Sequence, residues 1–176
     1  MRKVILYMAM SLDGYTADKN GGVRWLAGDG TSPESPGSYD AFIQSVDTVI
    51  MGYTTYHQIV SELSPGQWVY PGRTSYVLTH KKIPSQNEII FTDQEPDDLI
   101  NRLKQEDGKD IWICGGASVA NQLMTADLID RYWITVIPTI LGGGVPLFAP
   151  REHEIRLQLI CSHSDNGMTD LVYERR

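Results

Sequence analysis

The chain has 176 residues, 41% of them apolar and 21% charged, with a formal net charge of −7. That length supports a packed core without disulfides or metals, the balance is that of a globular protein, and the acidic charge excludes a nucleic-acid backbone as partner. No apolar run reaches the roughly 18 residues that cross a bilayer, and two cysteines, Cys114 and Cys161, imply a reducing, cytoplasmic setting.

Val4-Ile5-Leu6-Tyr7-Met8-Ala9-Met10 is a nearly continuous apolar run, as a central strand covered on both faces requires. Met1-Arg2-Lys3 before it mimics a signal peptide, but Ser11-Leu12-Asp13-Gly14 follows without a cleavage site, so the run reads as a strand. A polar, glycine-rich stretch covers 18–37, with Trp25-Leu26 as its only large apolar pair. So long a segment inside a domain points to an active-site cover. A short helix over 39–44 leads into a buried strand over 48–52. The next helix, 54–63, is ended by Ser64-Pro65-Gly66. Strands follow at 75–79 and 88–91. Leu99, Ile100 and Leu103 at helical spacing predict a helix over 97–105, with Gly108 beyond its end.

A strand over 110–114 runs into Gly115-Gly116, and a helix resumes over 118–125. An apolar strand over 131–138 precedes Gly142-Gly143-Gly144, and strands at 155–161 and 168–174 follow. Strands alternating with helices in the first two thirds imply right-handed crossovers and a largely parallel sheet. The last three strands have no helix between them, so an antiparallel edge is expected there. The sequence shows no repeat and no linker, which predicts one α/β domain over 1–176.

In an open α/β sheet, ligands bind at the carboxyl ends of the strands, near helix N-termini. Gly52-Tyr53-Thr54-Thr55 is one such junction, where backbone N–H groups and threonine hydroxyls can donate to a pyrophosphate; an ordinary N-cap reads equally from it. At Cys114-Gly115-Gly116-Ala117-Ser118-Val119 two glycines let a ligand approach the backbone ahead of a helix N-terminus. This is not the G-x-G-x-x-G fingerprint. Leu78-Thr79-His80-Lys81-Lys82 is the densest positive cluster, suited to a cofactor phosphate or else a solvated turn before Pro84. His57, His153 and His163 have no partner that the sequence assigns. The chain lacks a zinc deaminase signature, G-x-S-x-G, a P-loop and metal-ligand spacing.

In their order and spacing these segments resemble the dihydrofolate reductase-like fold, and specifically the reductase domain of riboflavin biosynthesis. The resemblance rests on Ser11-Leu12-Asp13-Gly14, on Val49 through Thr55, on Cys114 through Ser118, and most specifically on Leu141-Gly142-Gly143-Gly144-Val145-Pro146-Leu147-Phe148. It implies a three-layer α/β fold with a mostly parallel central sheet and antiparallel C-terminal strands. It also implies NADPH across the sheet's carboxyl edge. Gly52, Tyr53, Thr54, Thr55, Gly115, Gly116, Ala117, Ser118 and Val119 would hold the pyrophosphate, with Leu78, Thr79 and His80 near the adenine ribose.

Folate reductases carry an arginine where Tyr53 stands, and Lys81 is the residue able to compensate. The resemblance also implies a cis peptide at Gly115-Gly116. Trp25 belongs to the cover, and Asp13 is the acid expected near the substrate. The helix carboxylate of folate reductases falls near Ser38 here, with Asp40 facing elsewhere. The implied activity is that of a 5-amino-6-(5-phosphoribosylamino)uracil reductase, hydride transfer to a small heterocyclic substrate, by a homodimer without the fused deaminase. A dihydrofolate reductase and a non-catalytic NADPH-binding protein are the alternatives.

Overall fold

The computed structural model describes residues 1–31 and 38–176, so the part of the expected cover at 32–37 lies outside the described residues. In chain order the elements are β1 (Val4–Ser11), β2 (Tyr15–Ala17), α1 (Tyr39–Ser45), β3 (Val46–Gly52), α2 (Tyr53–Gln58), β4 (Thr74–Leu78) and β5 (Ile89–Thr92). They continue with α3 (Pro96–Leu103), β6 (Asp110–Gly115), α4 (Ala117–Thr125), β7 (Arg131–Ile137), β8 (Val145–Pro146), β9 (Leu157–Asp165) and β10 (Met168–Arg175). Eight strands form one sheet in the order β5-β4-β3-β6-β1-β7-β10-β9. Pairing is parallel from β5 through β7 and antiparallel from β7 through β10 to β9.

The apolar runs are continuous because both faces of the central strands are covered. Val4 and Leu6 of β1, Ile50 of β3 and Ile111 and Ile113 of β6 pack with Leu99, Ile100 and Leu103 of α3 and Ala120 and Leu123 of α4. The intervening residues, Ile5, Val49, Met51 and Trp112, point the other way and pack with Phe42 and Ile43 of α1 and with Ile59. The period-2 alternation of each strand thus feeds two separate apolar clusters, giving three layers. Each fully buried aliphatic side chain contributes roughly 1.5–3 kcal/mol by leaving water.

At the sheet's amino edge the buried Arg2 ties three strands together. Its guanidinium donates to the Lys109 carbonyl at 2.6 Å, to Thr48 Oγ1 at 2.6 Å and to the Asp47 carboxylate.

Two departures from the sequence reading have clear causes. The helix expected over 54–63 changes character after Gln58, and Ile59–Leu63 form a π-helical turn in which the Ser64 N–H donates to the Ile59 carbonyl at 2.8 Å. The short strands β2 and β8, absent from that reading, pair antiparallel as a separate two-stranded sheet. With three and two residues they are too short to show a period.

Candidate active site

The carboxyl ends of β1, β3, β4 and β6 open onto a cleft of about 1020 Å³. The turn from β3 into α2 brings Gly52, Tyr53, Thr54 and Thr55 to its wall. The end of β4 brings Leu78, Thr79 and His80, and the turn from β6 into α4 brings Gly116, Ala117, Ser118 and Val119. The three segments singled out by sequence therefore meet around one space, separated along the chain but adjacent in the sheet.

Gly115 is buried behind this wall. Its φ of +124° lies in the region that favours glycine, and a Cβ there would stand 3.0 Å from Met8 Cε. The Gly115–Gly116 peptide is cis. Gly116 has an ordinary φ of −75°, and a Cβ on it would reach only Thr55 Oγ1, at 3.4 Å. Glycine at 116 is thus a matter of space in the cleft rather than of backbone conformation. The first intrahelical bond of α4 runs from the Ala120 N–H to the Gly116 carbonyl, so the N–H groups of Ala117, Ser118 and Val119 have no helical acceptor. They sit at the positive end of the helix.

One end of the cleft is cationic. Lys81 Nζ lies 3.8 Å from the centroid of the Tyr53 ring, a cation–π geometry, and the Lys81 N–H donates to Thr79 Oγ1 at 3.1 Å. Lys82 instead pairs with Asp93 at 3.0 Å, and that pairing holds the Asp93 carboxyl below the usual carboxylate range. Lys81 lines the cleft at this end, with His80 beside it.

At the other end the cleft runs on, through Tyr7, Met8, Ala9, Leu26, Ile59 and Tyr70, into a chamber of about 560 Å³. Its walls are aromatic. Tyr7 stacks 4.5 Å from Phe42 edge-on and 5.2 Å from Trp133, and Tyr70 lies edge-on to Trp112 at 5.0 Å. The Trp112 indole N–H donates to the Tyr7 carbonyl at 3.0 Å, fixing the wall.

Polar groups converge at one point of that chamber. Thr135 Oγ1 donates to Asp170 Oδ1 at 2.5 Å, and the Ser38 hydroxyl donates to Asp170 Oδ2. The Tyr7 hydroxyl lies 3.3 Å from Ser38 Oγ. Burial pushes the Tyr7 phenol above its ordinary value, and the nearby Asp170 charge adds to the rise. Burial raises the Tyr70 phenol as well, and its hydroxyl lies 3.4 Å from Cys114 Sγ. The Cys114 thiol is itself pushed up to about 11 by burial.

Asp13 and Trp25 are not brought to the cleft wall. Asp13 sits in an exposed turn at the end of β1. Its carboxylate accepts from Ser11 Oγ at 2.6 Å, from the Leu141 N–H at 3.0 Å and from the Gly142 N–H at 2.7 Å. The Ser11 bond first, then the two backbone bonds, hold it below the usual carboxylate range. The Trp25 indole N–H donates to the Gly22 carbonyl at 3.1 Å, while its neighbours Val23 and Leu26 line the cleft.

Ser38 and His163 line the chamber, whereas His57 is exposed beside Tyr53. Asp170 escaped sequence reasoning because it faces Thr135 only through the antiparallel register of β10 on β7. No signal short of that register would find it. Among the described residues no group of acidic, histidine or cysteine side chains could hold a metal, and no helix is long and apolar enough to cross a membrane.

Comparison with known proteins agrees with this architecture. The family model described as the RibD C-terminal domain matches residues 2–173. The uncharacterized protein YwjB of Bacillus subtilis (strain 168) is 43% identical over 175 residues, covering 99% of this chain and 98% of that one. Among solved structures, a protein from Shewanella sp. PV-4 assigned to riboflavin biosynthesis superposes with a TM-score of 0.86 at 28% identity, covering 99% of both chains.

Two more distant structures share the fold. One is the Thermotoga maritima diaminohydroxyphosphoribosylaminopyrimidine deaminase/5-amino-6-(5-phosphoribosylamino)uracil reductase, with TM-score 0.70 and 13% identity over 99% of this chain and 57% of that one. The other is Enterococcus faecalis dihydrofolate reductase complexed with NADP(H), with TM-score 0.71 and 17% identity over 99% and 96% of the two chains. With its three layers, its sheet order and a family model spanning nearly its whole length, the chain belongs to the RibD C-terminal domain family and has a dihydrofolate reductase-like fold.

Proposed function

We propose that the protein is an NADPH-dependent reductase that delivers hydride to a C=N or C=O carbon of a small heterocycle of the aminopyrimidine type. One observation carries the reading: a cleft with helix N–H groups and a cationic end is continuous with an aromatic chamber past Met8 and Ala9. A dinucleotide lying along such a cleft puts its phosphates at one end and its ring at the mouth of the chamber. The residues fit that group, because the space above Gly116 is one that a side chain would fill.

In this reading Thr54, Thr55 and the N–H groups of Ala117, Ser118 and Val119 hold the pyrophosphate. Thr79, His80 and Lys81 receive the 2′-phosphate, Lys81 in the place of an arginine. When bound, the dihydronicotinamide supplies the hydride. Leu26, Ile59 and Tyr70, at the junction of the two spaces, exclude water from it. The phenols of Tyr7 and Tyr70, both raised above their ordinary value, remain protonated donors at neutral pH.

The test is a titration of tryptophan fluorescence with NADPH and, separately, NADH. Micromolar quenching by NADPH is expected, with NADH weaker by roughly tenfold, as the loss of one charge-assisted phosphate contact implies. Lys81→Ala should weaken NADPH binding and leave NADH binding unchanged. No quenching by either nucleotide would overturn the assignment.

A further inference from the structure

We infer that the chamber selects an unphosphorylated ring with adjacent N–H donors, and that Asp170 is the residue that sets this choice. The inference rests on the hydride-transfer reading above, whose substrate it narrows.

The charge of the chamber argues first. Two carboxylates, Asp165 and Asp170, line it, and among the described residues no lysine or arginine does. The cleft's lysine, Lys81, lies along the cofactor's expected path and is not part of the chamber wall. A phosphate monoester brings about −1.5 to −2 charges at neutral pH. Placing it in an aromatic chamber lined by two carboxylates sets it against like charges, with no lysine or arginine among the described lining residues to offset them.

The second argument is the orientation of Asp170. It stands on β10 directly opposite Thr135 of β7 and opposite His163 of β9. One carboxylate oxygen accepts from Thr135 and the other from Ser38. Two hydroxyls on two different elements therefore fix the plane of the group. A carboxylate has about four acceptor positions, so each oxygen keeps capacity for one more donor. Two such positions side by side match the paired N–H donors along the edge of an aminopyrimidine, in the geometry that a bidentate contact requires. The ring itself would lie between Tyr7, Tyr70 and Trp112, whose faces suit a flat heterocycle. A site built to hydrogen-bond a donor edge discriminates against ligands that leave the carboxylate unpaired. A carboxylate also repels an anionic arm placed near it.

The Thermotoga enzyme, which shares only the fold at 13% identity, is named for a phosphorylated pyrimidine. That compound, 5-amino-6-(5-phosphoribosylamino)uracil, and its phosphatase product form a matched pair of probes. Each is titrated calorimetrically into the protein, alone and saturated with NADP⁺. The phosphate-free compound should bind at least tenfold more tightly than its phosphate ester. Asp170→Asn should lose about tenfold in affinity for the phosphate-free compound, the size of one charge-assisted pair, while NADPH quenching and the melting temperature stay as in the parent. Asp170→Glu should recover part of the loss. His163→Lys, an exposed position on the chamber rim, should raise affinity for the ester. Tighter binding of the ester, failure of both compounds to bind, or an Asp170→Asn variant indistinguishable from the parent overturns the inference. Absence of NADPH quenching, read separately, overturns the hydride-transfer assignment instead.

Discussion

Asp13 and Asp170 are both strand-associated carboxylates, one at the end of β1 and one within β10, and their partners separate their roles. Asp13 is exposed and saturated with donors from its own turn and from the loop at 141–142. Those donors hold its carboxyl below the usual range, which makes it a poor proton source near neutral pH. We propose that its work is to hold the 141–142 loop against the first strand. The sign of its pH dependence follows. Because the folded value lies below the ordinary 3.8, its stabilisation is present above that value and is lost as pH falls through the lower, folded one. Asp13→Asn should therefore lower the melting temperature at neutral pH, flatten the acid limb of a stability–pH curve, and leave the NADPH dissociation constant within about twofold, since the residue is off the cleft wall. A large loss of turnover with unchanged stability would return Asp13 to the chemistry.

The cysteines make a second contrast at this scale. Cys161 is exposed, whereas the Cys114 thiol, at the cleft wall beside Tyr70, is pushed up to about 11. Thiolate is the reactive form. A disulfide reagent at pH 8 should label Cys161 quickly and Cys114 much more slowly, and two equal rates would contradict the raised Cys114 thiol. The sequence read Cys114 as a buried strand residue; it does stand on β6, but half-buried at the cleft wall. The sequence had no means of placing that thiol against Tyr70, 44 positions away.

At the scale of elements, the strand-to-helix junctions were the legible part of the site. Glycine and hydroxyl residues directly after an apolar run mark a place where the chain must turn near a ligand, and both junctions lie on the cleft. Their meeting follows from β3 pairing with β6, a relation that parallel crossovers make common but that no local pattern states. The chamber was less legible because its polar point combines β7, β10 and the residue before α1.

The α4 junction yields a direct prediction. Gly116→Val places a branched side chain in the cleft, where its Cβ meets only Thr55 Oγ1 at 3.4 Å. NADPH affinity should fall by at least about tenfold, with far-ultraviolet circular dichroism unchanged. Retained affinity in a folded variant would remove the N-terminus of α4 from the cofactor's path.

The whole molecule is organised around an interleaved sheet. The central strand β1 lies between β6 and β7, and β7 pairs with β10 near the chain's other end. The central pairs β3–β6, β6–β1 and β1–β7 thus join segments remote in sequence, and neither half has a complete core of its own. We propose that 1–176 is one cooperative unit and that two copies of it form a homodimer. Light scattering would read a mass of twice 19.7 kDa if so, and a mass of one chain if not.

Cooperativity is tested through Arg2, which touches β3 and the segment leading into β6 from the start of β1. Its side chain is 6% exposed while Asp47 opposite is 37% exposed, so water screens part of the pair. Removing the arginine leaves Asp47 and the Lys109 carbonyl without this partner, at about 2 kcal/mol, below the range for a wholly buried pair. In a chain of this size that corresponds to roughly 4–8 °C in Tm. For Arg2→Met, tryptophan fluorescence, which samples the sheet and its α1 face, and circular dichroism should shift together by that amount. If the two signals separate, the sheet's amino edge melts on its own and the single-unit proposal fails.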